Sequence, residues 1–143
     1  MRTTPFDLAR LKAEGRRWAM LTAYDYSSAL IAEAAGVPVL LVGDSMGNVV
    51  HGRGDTLSVT VDDIVRAGQS VVRGTQTALV VADMPFLSFR DEATAIASAG
   101  RMLSEGGAGA VKLEGGGAVI PIVQRLVELG IPVMGHLGFT PQS

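Results

Sequence analysis

Hydrophobic positions along this chain fall into two patterns that take turns. The β-branched runs VLLVGDS at 39–45, ALVVADMP at 78–85 and AVKLEGG at 110–116 show no polar alternation, so they read as strands buried on both faces. Between them, apolar residues recur at helical spacing. Val61, Ile64, Val65, Gly68, Val71 and Val72 share one face of a helix over 61–73, with Thr60 and Asp63 as a capping pair at its start. Residues 92–105 predict a second helix with Ile96, Gly100 and Leu103 inward and Gly106 as its C-cap. A third carries Val119, Ile122, Val123 and Leu126 on its face. Its Pro121 must fall in the first turn, because deeper in a helix it would remove a hydrogen bond.

The remaining segments complete the alternation. Residues 6–15 form a short amphipathic helix with Leu8 and Leu11 on one face and Gly15 as its stop. WAMLTA at 18–23 reads as the first strand, Ser27 and Ser28 can cap a helix running to Gly36, and 131–135 reads as the fifth strand. Strand–helix alternation of this kind calls for a parallel sheet with right-handed crossovers. Asp44, Asp83, Glu114 and His136, each at the end of a strand, are spaced 39, 31 and 22 residues apart. Each interval is of the order of one unit of a TIM (β/α)8 barrel, where eight units take about 250 residues. The expected architecture is therefore α/β, a single domain over residues 1–143 that holds about the first five strands of a TIM barrel. An open doubly wound sheet is the alternative at this length. A barrel stopped there leaves an unpaired strand edge, so the pattern predicts a fragment of a longer protein.

Composition narrows the partner. The formal net charge is −2 and Lys and Arg are not clustered, which argues against nucleic acid and anionic membrane and for a small molecule. The absence of cysteine excludes disulfides and thiolate metal sites, leaving carboxylates and two histidines as candidate ligands. No apolar stretch near the start has signal-peptide length and no run approaches a membrane span, so a cytoplasmic location is expected.

In parallel α/β folds the carboxyl ends of the strands line the ligand site, which puts Asp44, Asp83 and Glu114 on one rim. Three carboxylates in one cleft repel each other unless a cation sits among them, and a hard divalent ion with oxygen ligands is the usual answer. Capping the next helix is the ordinary duty of an Asp after a strand, but the predicted helices begin near 61 and 91, well downstream of Asp44 and Asp83. Glu114 has a plainer alternative, a turn opened by residues 115–117. Lys112 points to the same side as Glu114 by the period of two, and a lysine in an apolar strand needs an anion. The candidates are Glu114, as a buried ion pair, or a ligand carboxylate. Ser45 can offer a substrate oxygen its hydroxyl and amide, or be a turn serine. His136 lies on the same rim as a ligand, acid or donor, or as a structural residue. His51 sits in a glycine-rich loop over 46–58 that suits a hairpin or lid. A P-loop lysine motif, a G-x-G-x-x-G after a strand and a serine nucleophile elbow are all absent from the sequence.

The strings MLTAYDYSSA, VLLVGDSMGNVVHG, VTVDDIVRAGQSVVRG, VVADMPF, GAGAVKLEGG and IPVMGHLGFTPQS, in this order, closely resemble the ketopantoate hydroxymethyltransferase family. The resemblance covers about residues 11–143 and corresponds to roughly the first half of a family member. It implies a TIM-barrel enzyme of pantothenate and coenzyme A synthesis, in the cytoplasm, that transfers a one-carbon unit from 5,10-methylenetetrahydrofolate to 3-methyl-2-oxobutanoate, giving 2-dehydropantoate. It further implies that Asp44 and Asp83 ligate Mg²⁺ with Glu114 as a third metal-linked carboxylate, that Asp44, Ser45, Asp83 and Lys112 bind the oxo acid, and that full-length chains form homo-oligomers. The family's base is a glutamate on a strand after the fifth, so no catalytic residue is assigned within this chain and the chain alone is expected to be inactive. A carbon–carbon lyase of the related phosphoenolpyruvate mutase and isocitrate lyase superfamily, and a non-catalytic remnant, are the rival expectations.

Overall fold

In the computed structural model, which describes residues 1–142, five parallel strands lie side by side in chain order. They are β1 (Met20–Thr22), β2 (Val39–Val42), β3 (Leu79–Asp83), β4 (Ala110–Glu114) and β5 (Val133–His136). The helices are α1 (Pro5–Ala13), α2 (Tyr26–Ala34), α3 (Met46–Val49), α4 (Val61–Arg73), α5 (Glu92–Ser104) and α6 (Ile120–Glu128), the last preceded by a 3-10 turn at Gly117–Val119. A doubly wound sheet reverses direction at a switch point and carries helices on both faces. This sheet has no switch point: its order runs from β1 to β5 without reversal and the connecting helices α2, α4, α5 and α6 all pack on one face, as in a barrel.

The period of two sorts the strand residues into two cores. Leu40, Val42, Val80, Ala82, Val111 and Leu113 face the helices and join Ala29, Ile64, Val71, Ala95, Ala99, Met102 and Leu126 from α2, α4, α5 and α6. Val39, Leu79, Val81 and Ala110 face the other way, where α1 lays Leu8 and Leu11 among Met20, Leu41 and Met134. That second face is apolar toward the start of the strands and turns polar at their ends, where Asp83, Lys112 and Glu114 follow on it at every second position.

Several helix boundaries follow the local chemistry. Thr60 and Asp63 form the reciprocal capping box expected of them, as do Thr4 and Asp7 at α1. Pro121 lies in the first turn of α6. Other expectations are corrected. Asp25, not Ser27 or Ser28, caps α2 by accepting from the Ser28 amide, because the Ncap acceptor must precede the helix by one residue. The buried stripe of α5 is Ala95, Ala99 and Met102, turned by about one residue from the expected face, with Ile96 and Leu103 at its margin and Glu105 rather than Gly106 at its C-cap. Small alanines let α5 sit close to the sheet, while the larger flanking side chains reach in from the sides.

The α4–β3 connection, which feeds the strand carrying Asp83, is held from two directions. Glu33 of α2 accepts from the amides of Gln76, Thr77 and Ala78 and from the Thr77 hydroxyl. Burial works to raise its pKa, but these hydrogen bonds outweigh that and hold the carboxyl below its usual range. Arg2 donates to the Val72, Thr75 and Ala78 carbonyls and to Thr75 Oγ1. At Gly74 an added Cβ would lie 2.7 Å from the Tyr26 carbonyl oxygen, so the close approach of α2 to the end of α4 depends on that glycine.

Candidate active site

The carboxyl ends of the strands do gather the expected residues. Asp44, Asp83, Lys112 and Glu114 are all buried, and the Asp44 amide donates to Asp83 Oδ2 at 3.3 Å. An added Cβ on Gly43 would meet Ser45 Oγ at 3.0 Å and Asp83 Oδ2 at 3.6 Å. The bare backbone there is what lets β2 bring Asp44 against Asp83.

Strand register decides who pairs with whom. Asp83 stands directly beside Lys112 on β3 and β4, and Lys112 Nζ meets Asp83 Oδ1 at 2.8 Å. Glu114 stands beside His136 on β4 and β5, and its Oε2 lies 3.0 Å from His136 Nδ1. The buried lysine therefore pairs with Asp83 and not with Glu114, the ion-pair partner considered from sequence. Along a strand, residues i and i+2 share a face but stand farther apart than direct cross-strand neighbours, whose Cβ atoms are about 5 Å apart. Lys112 Nζ is also 3.4 Å from His136 Nδ1, so Asp83, Lys112, His136 and Glu114 form one continuous row across three strands.

Burial pushes the Asp83 carboxyl up to about 6. The Lys112 ammonium pulls it down, and the neighbouring Asp44 adds to the upward push. A carboxylate this costly to ionise gains from additional positive charge.

Two further residues belong to the site and were not singled out from sequence. Tyr24, two residues beyond β1, places its hydroxyl 2.8 Å from Ser45 Oγ. Its position just past a strand end was the available signal. Gln142 donates from Nε2 to Asp44 Oδ2 at 2.7 Å and to the Met84 carbonyl at 3.0 Å, while its amide donates to Glu114 Oε1 at 2.7 Å. It joins the two acids from a loop that lies far from both in sequence, and no local pattern marks it.

The segment after Asp44 differs from the expected long loop. The short helix α3 starts at once, with neither a cap from Ser45 nor one from Asp44, whose carboxylate is taken by Gln142. A helix therefore does follow Asp44 closely, contrary to expectation, yet Asp44 is not its cap, because its carboxylate accepts from Gln142 Nε2. In place of a hairpin or lid, residues 50–58 fold back on α3: the Arg53 amide donates to the Gly47 carbonyl and Asn48 Nδ2 to the Arg53 carbonyl. His51 is exposed there and lies near Asp63, outside the acid row.

The donor set suits a hard cation. Asp44 and Asp83 are adjacent, buried and offer oxygen alone, and Mg²⁺ characteristically takes one or two carboxylates and fills its other positions with water and substrate oxygens. Among the described residues no group of three or more Asp, Glu or His side chains is arranged to hold an ion by itself. Glu114 is occupied by His136 and the Gln142 amide, which suits a link through an intervening molecule better than direct ligation. No helix among the described residues is long and apolar enough to cross a membrane.

Known proteins resemble this arrangement at two levels. In solved structures, the fold is similar to 2,3-dimethylmalate lyase, a PEP mutase/isocitrate lyase superfamily member, at a TM-score of 0.68 and 21% identity over 94% of this chain and 53% of that one. A phosphonopyruvate hydrolase in complex with oxalate and Mg²⁺ gives a TM-score of 0.63 at 16% identity, covering 78% and 39% of the two chains. At these identities the likeness establishes the fold alone, a partial TIM barrel. In sequence, the 3-methyl-2-oxobutanoate hydroxymethyltransferase of Gluconacetobacter diazotrophicus is 62% identical over 143 residues, covering 100% of this chain and 52% of the relative. The protein of that name from Roseiflexus sp. is 57% identical, covering 100% and 51%. This chain thus spans about half the length of the curated relatives it matches. The profile described as ketopantoate hydroxymethyltransferase matches residues 2–143, and on these grounds the chain belongs to the ketopantoate hydroxymethyltransferase family.

Proposed function

We propose that this chain supplies the oxo-acid and metal platform for transfer of a one-carbon unit from 5,10-methylenetetrahydrofolate to 3-methyl-2-oxobutanoate, giving 2-dehydropantoate on the route to pantothenate. The observation that carries the reading is the buried row Asp44, Asp83, Lys112 at the strand ends, in a chain 62% identical to a protein named for that reaction. Asp44 and Asp83 would hold Mg²⁺, with Glu114 linked through water. Bound there, the ion supplies positive charge opposite the keto oxygen, where negative charge develops when C3 loses its proton.

The chain's own residues do the rest of the binding. Lys112, held by Asp83, presents its ammonium to the substrate carboxylate, a charge-assisted contact in a dry site. Ser45, with its hydroxyl fixed by Tyr24, donates to a substrate oxygen and limits how the acid can turn. Packing of Asp83 and Lys112 between strands keeps their positions before substrate arrives, which reduces reorganisation during the reaction. Proton abstraction is not assigned to any of these residues. The implied setting is a cytoplasmic enzyme that assembles as a homo-oligomer.

Calorimetric titration with 3-methyl-2-oxobutanoate tests the reading. Binding is expected with Mg²⁺ present, and is expected to be lost in chelator and in Asp44→Asn. Binding that is indifferent to Mg²⁺, or no binding in its presence, would overturn it.

A further inference from the structure

Gln142 lies just beyond β5, yet its hydrogen bonds reach the ends of β2, β3 and β4. The chain leaving β5 passes through Gly138, whose φ of 99° favours glycine, and comes back over the rim. There Gln142 is 7% exposed. Two of the three carboxylates assigned above to the metal are held by this one residue. Its Nε2 donates to Asp44 Oδ2 at 2.7 Å and its backbone amide to Glu114 Oε1 at 2.7 Å.

The orientation of the side-chain amide is determined by its partners. Nε2 also donates to the Met84 carbonyl at 3.0 Å, which ties Gln142 to the residue after Asp83. Because Asp44 Oδ2 and that carbonyl are both acceptors, the nitrogen must face them and Oε1 must face away. Oε1 is buried there without a hydrogen-bond partner among the described residues. A buried acceptor in that state costs free energy. The amide is therefore a poor device for stabilising the fold and a good one for aiming the Asp44 carboxylate. With Oδ2 committed to Gln142, Oδ1 is the oxygen left for an ion.

We propose that Gln142 is the positioning residue of the metal site, fixing Asp44 through Nε2 and Glu114 through its backbone amide so that both acids meet a hard divalent cation in one arrangement. This role rests on the metal platform proposed above and adds what holds that platform in shape. An outer partner of this kind leaves the set of ligands unchanged and raises affinity by ordering them before the cation arrives. The side-chain arm is the one that substitution can remove, since the backbone amide at 142 stays in place when only the side chain changes.

Titration with Mn²⁺, which takes the same oxygen ligands, tests this without any turnover when followed by the electron paramagnetic resonance signal of the free ion. Gln142→Met keeps the length of the side chain and removes the amide. It is expected to weaken Mn²⁺ about tenfold or more. With Mn²⁺ saturating both proteins, 3-methyl-2-oxobutanoate is expected to bind the variant within about twofold of the unaltered chain, because the change acts through the ion. Should Gln142→Met fail to fold by circular dichroism, Gln142→Asn, which keeps the amide and draws it back by one methylene, is judged by the same two measurements. Unchanged Mn²⁺ affinity would overturn the role and leave the platform standing. So would loss of the oxo acid at saturating Mn²⁺, the mark of a collapsed site, or failure of both variants to fold. If the unaltered protein binds no Mn²⁺, the platform itself falls and the role of Gln142 with it.

Discussion

The centre and the edges of the sheet are built to different standards. Every residue of β3 and β4 is buried, whereas β1 and β5 contain only half-buried and exposed residues. Leu40 and Leu21 are register neighbours on β2 and β1, yet one is 0% and the other 49% exposed. The site straddles this divide. Its ion pair Asp83–Lys112 belongs to the two fully buried strands, while His136 and Gln142 approach from the β5 side, where Leu137 and Phe139 lie open to solvent. A charge pair is most expensive to bury and most rigid once buried, so the centre fixes the geometry of the Asp83–Lys112 pair. The edge adjusts what surrounds it.

The largest break in this contrast is expected from Lys112→Met. It strands the Asp83 carboxyl in a dry site, at a cost of about 3 kcal/mol near pH 7.5, measured by urea unfolding. The cost shrinks toward pH 5, where Asp83 can take up a proton. In the unaltered protein without divalent ions the same logic has a definite sign. The folded pKa of Asp83, about 6, lies above the unfolded value of about 3.9. Its contribution is fully present below about pH 4 and is lost as pH rises through about 6. Asp83→Asn is expected to flatten that part of the stability profile; a profile no different from that of the unaltered protein would refute the assignment.

Leu40→Ala against Leu21→Ala sharpens the comparison directly. The buried member is expected to lose about 3 kcal/mol and the edge member no more than about 0.5, read from denaturant midpoints at constant slope. Equal losses would mean that β1 is covered in solution. Glu33→Ala removes the clamp on the entry to β3 and is expected to cost about 2 kcal/mol, the range for several hydrogen bonds to one charged acceptor at a partly exposed position. The smallest effect concerns Leu87, which is exposed and has a φ of 61°, a left-handed conformation that disfavours a side chain. Leu87→Gly is expected to raise stability by up to about 1 kcal/mol in a thermal melt.

Much of this organisation is legible in the sequence because it is local. A capping box needs only Thr60 and Asp63 three residues apart, and a strand buried on both faces announces itself as an unbroken apolar run such as LVVAD. Asp44 and Asp83 were readable as rim residues because each ends such a run. Apart from the α2 cap, where Asp25 lies only three residues from the Ser28 amide, the differences arise from interactions between distant segments. The α5 face shifted because α4, α6 and the sheet all compete for its surface, and a run of alanines sets no strong preference of its own. Helix α3 forms although its residues, with Gly47 among them, have little helical propensity, because the chain leaving β2 is tied to the loop beyond it.

By itself, then, the sequence determined the alternation of strands and helices, the parallel sheet, and the set of acids and one lysine on the strand ends, since each depends on spacing along a single segment. Tertiary structure alone decided that Lys112 answers Asp83 and that His136 answers Glu114, because strand register chooses between them. It also decided that Tyr24 and Gln142 enter the site. Their contacts span 21 and 98 residues of chain, and no periodicity reaches across such a distance.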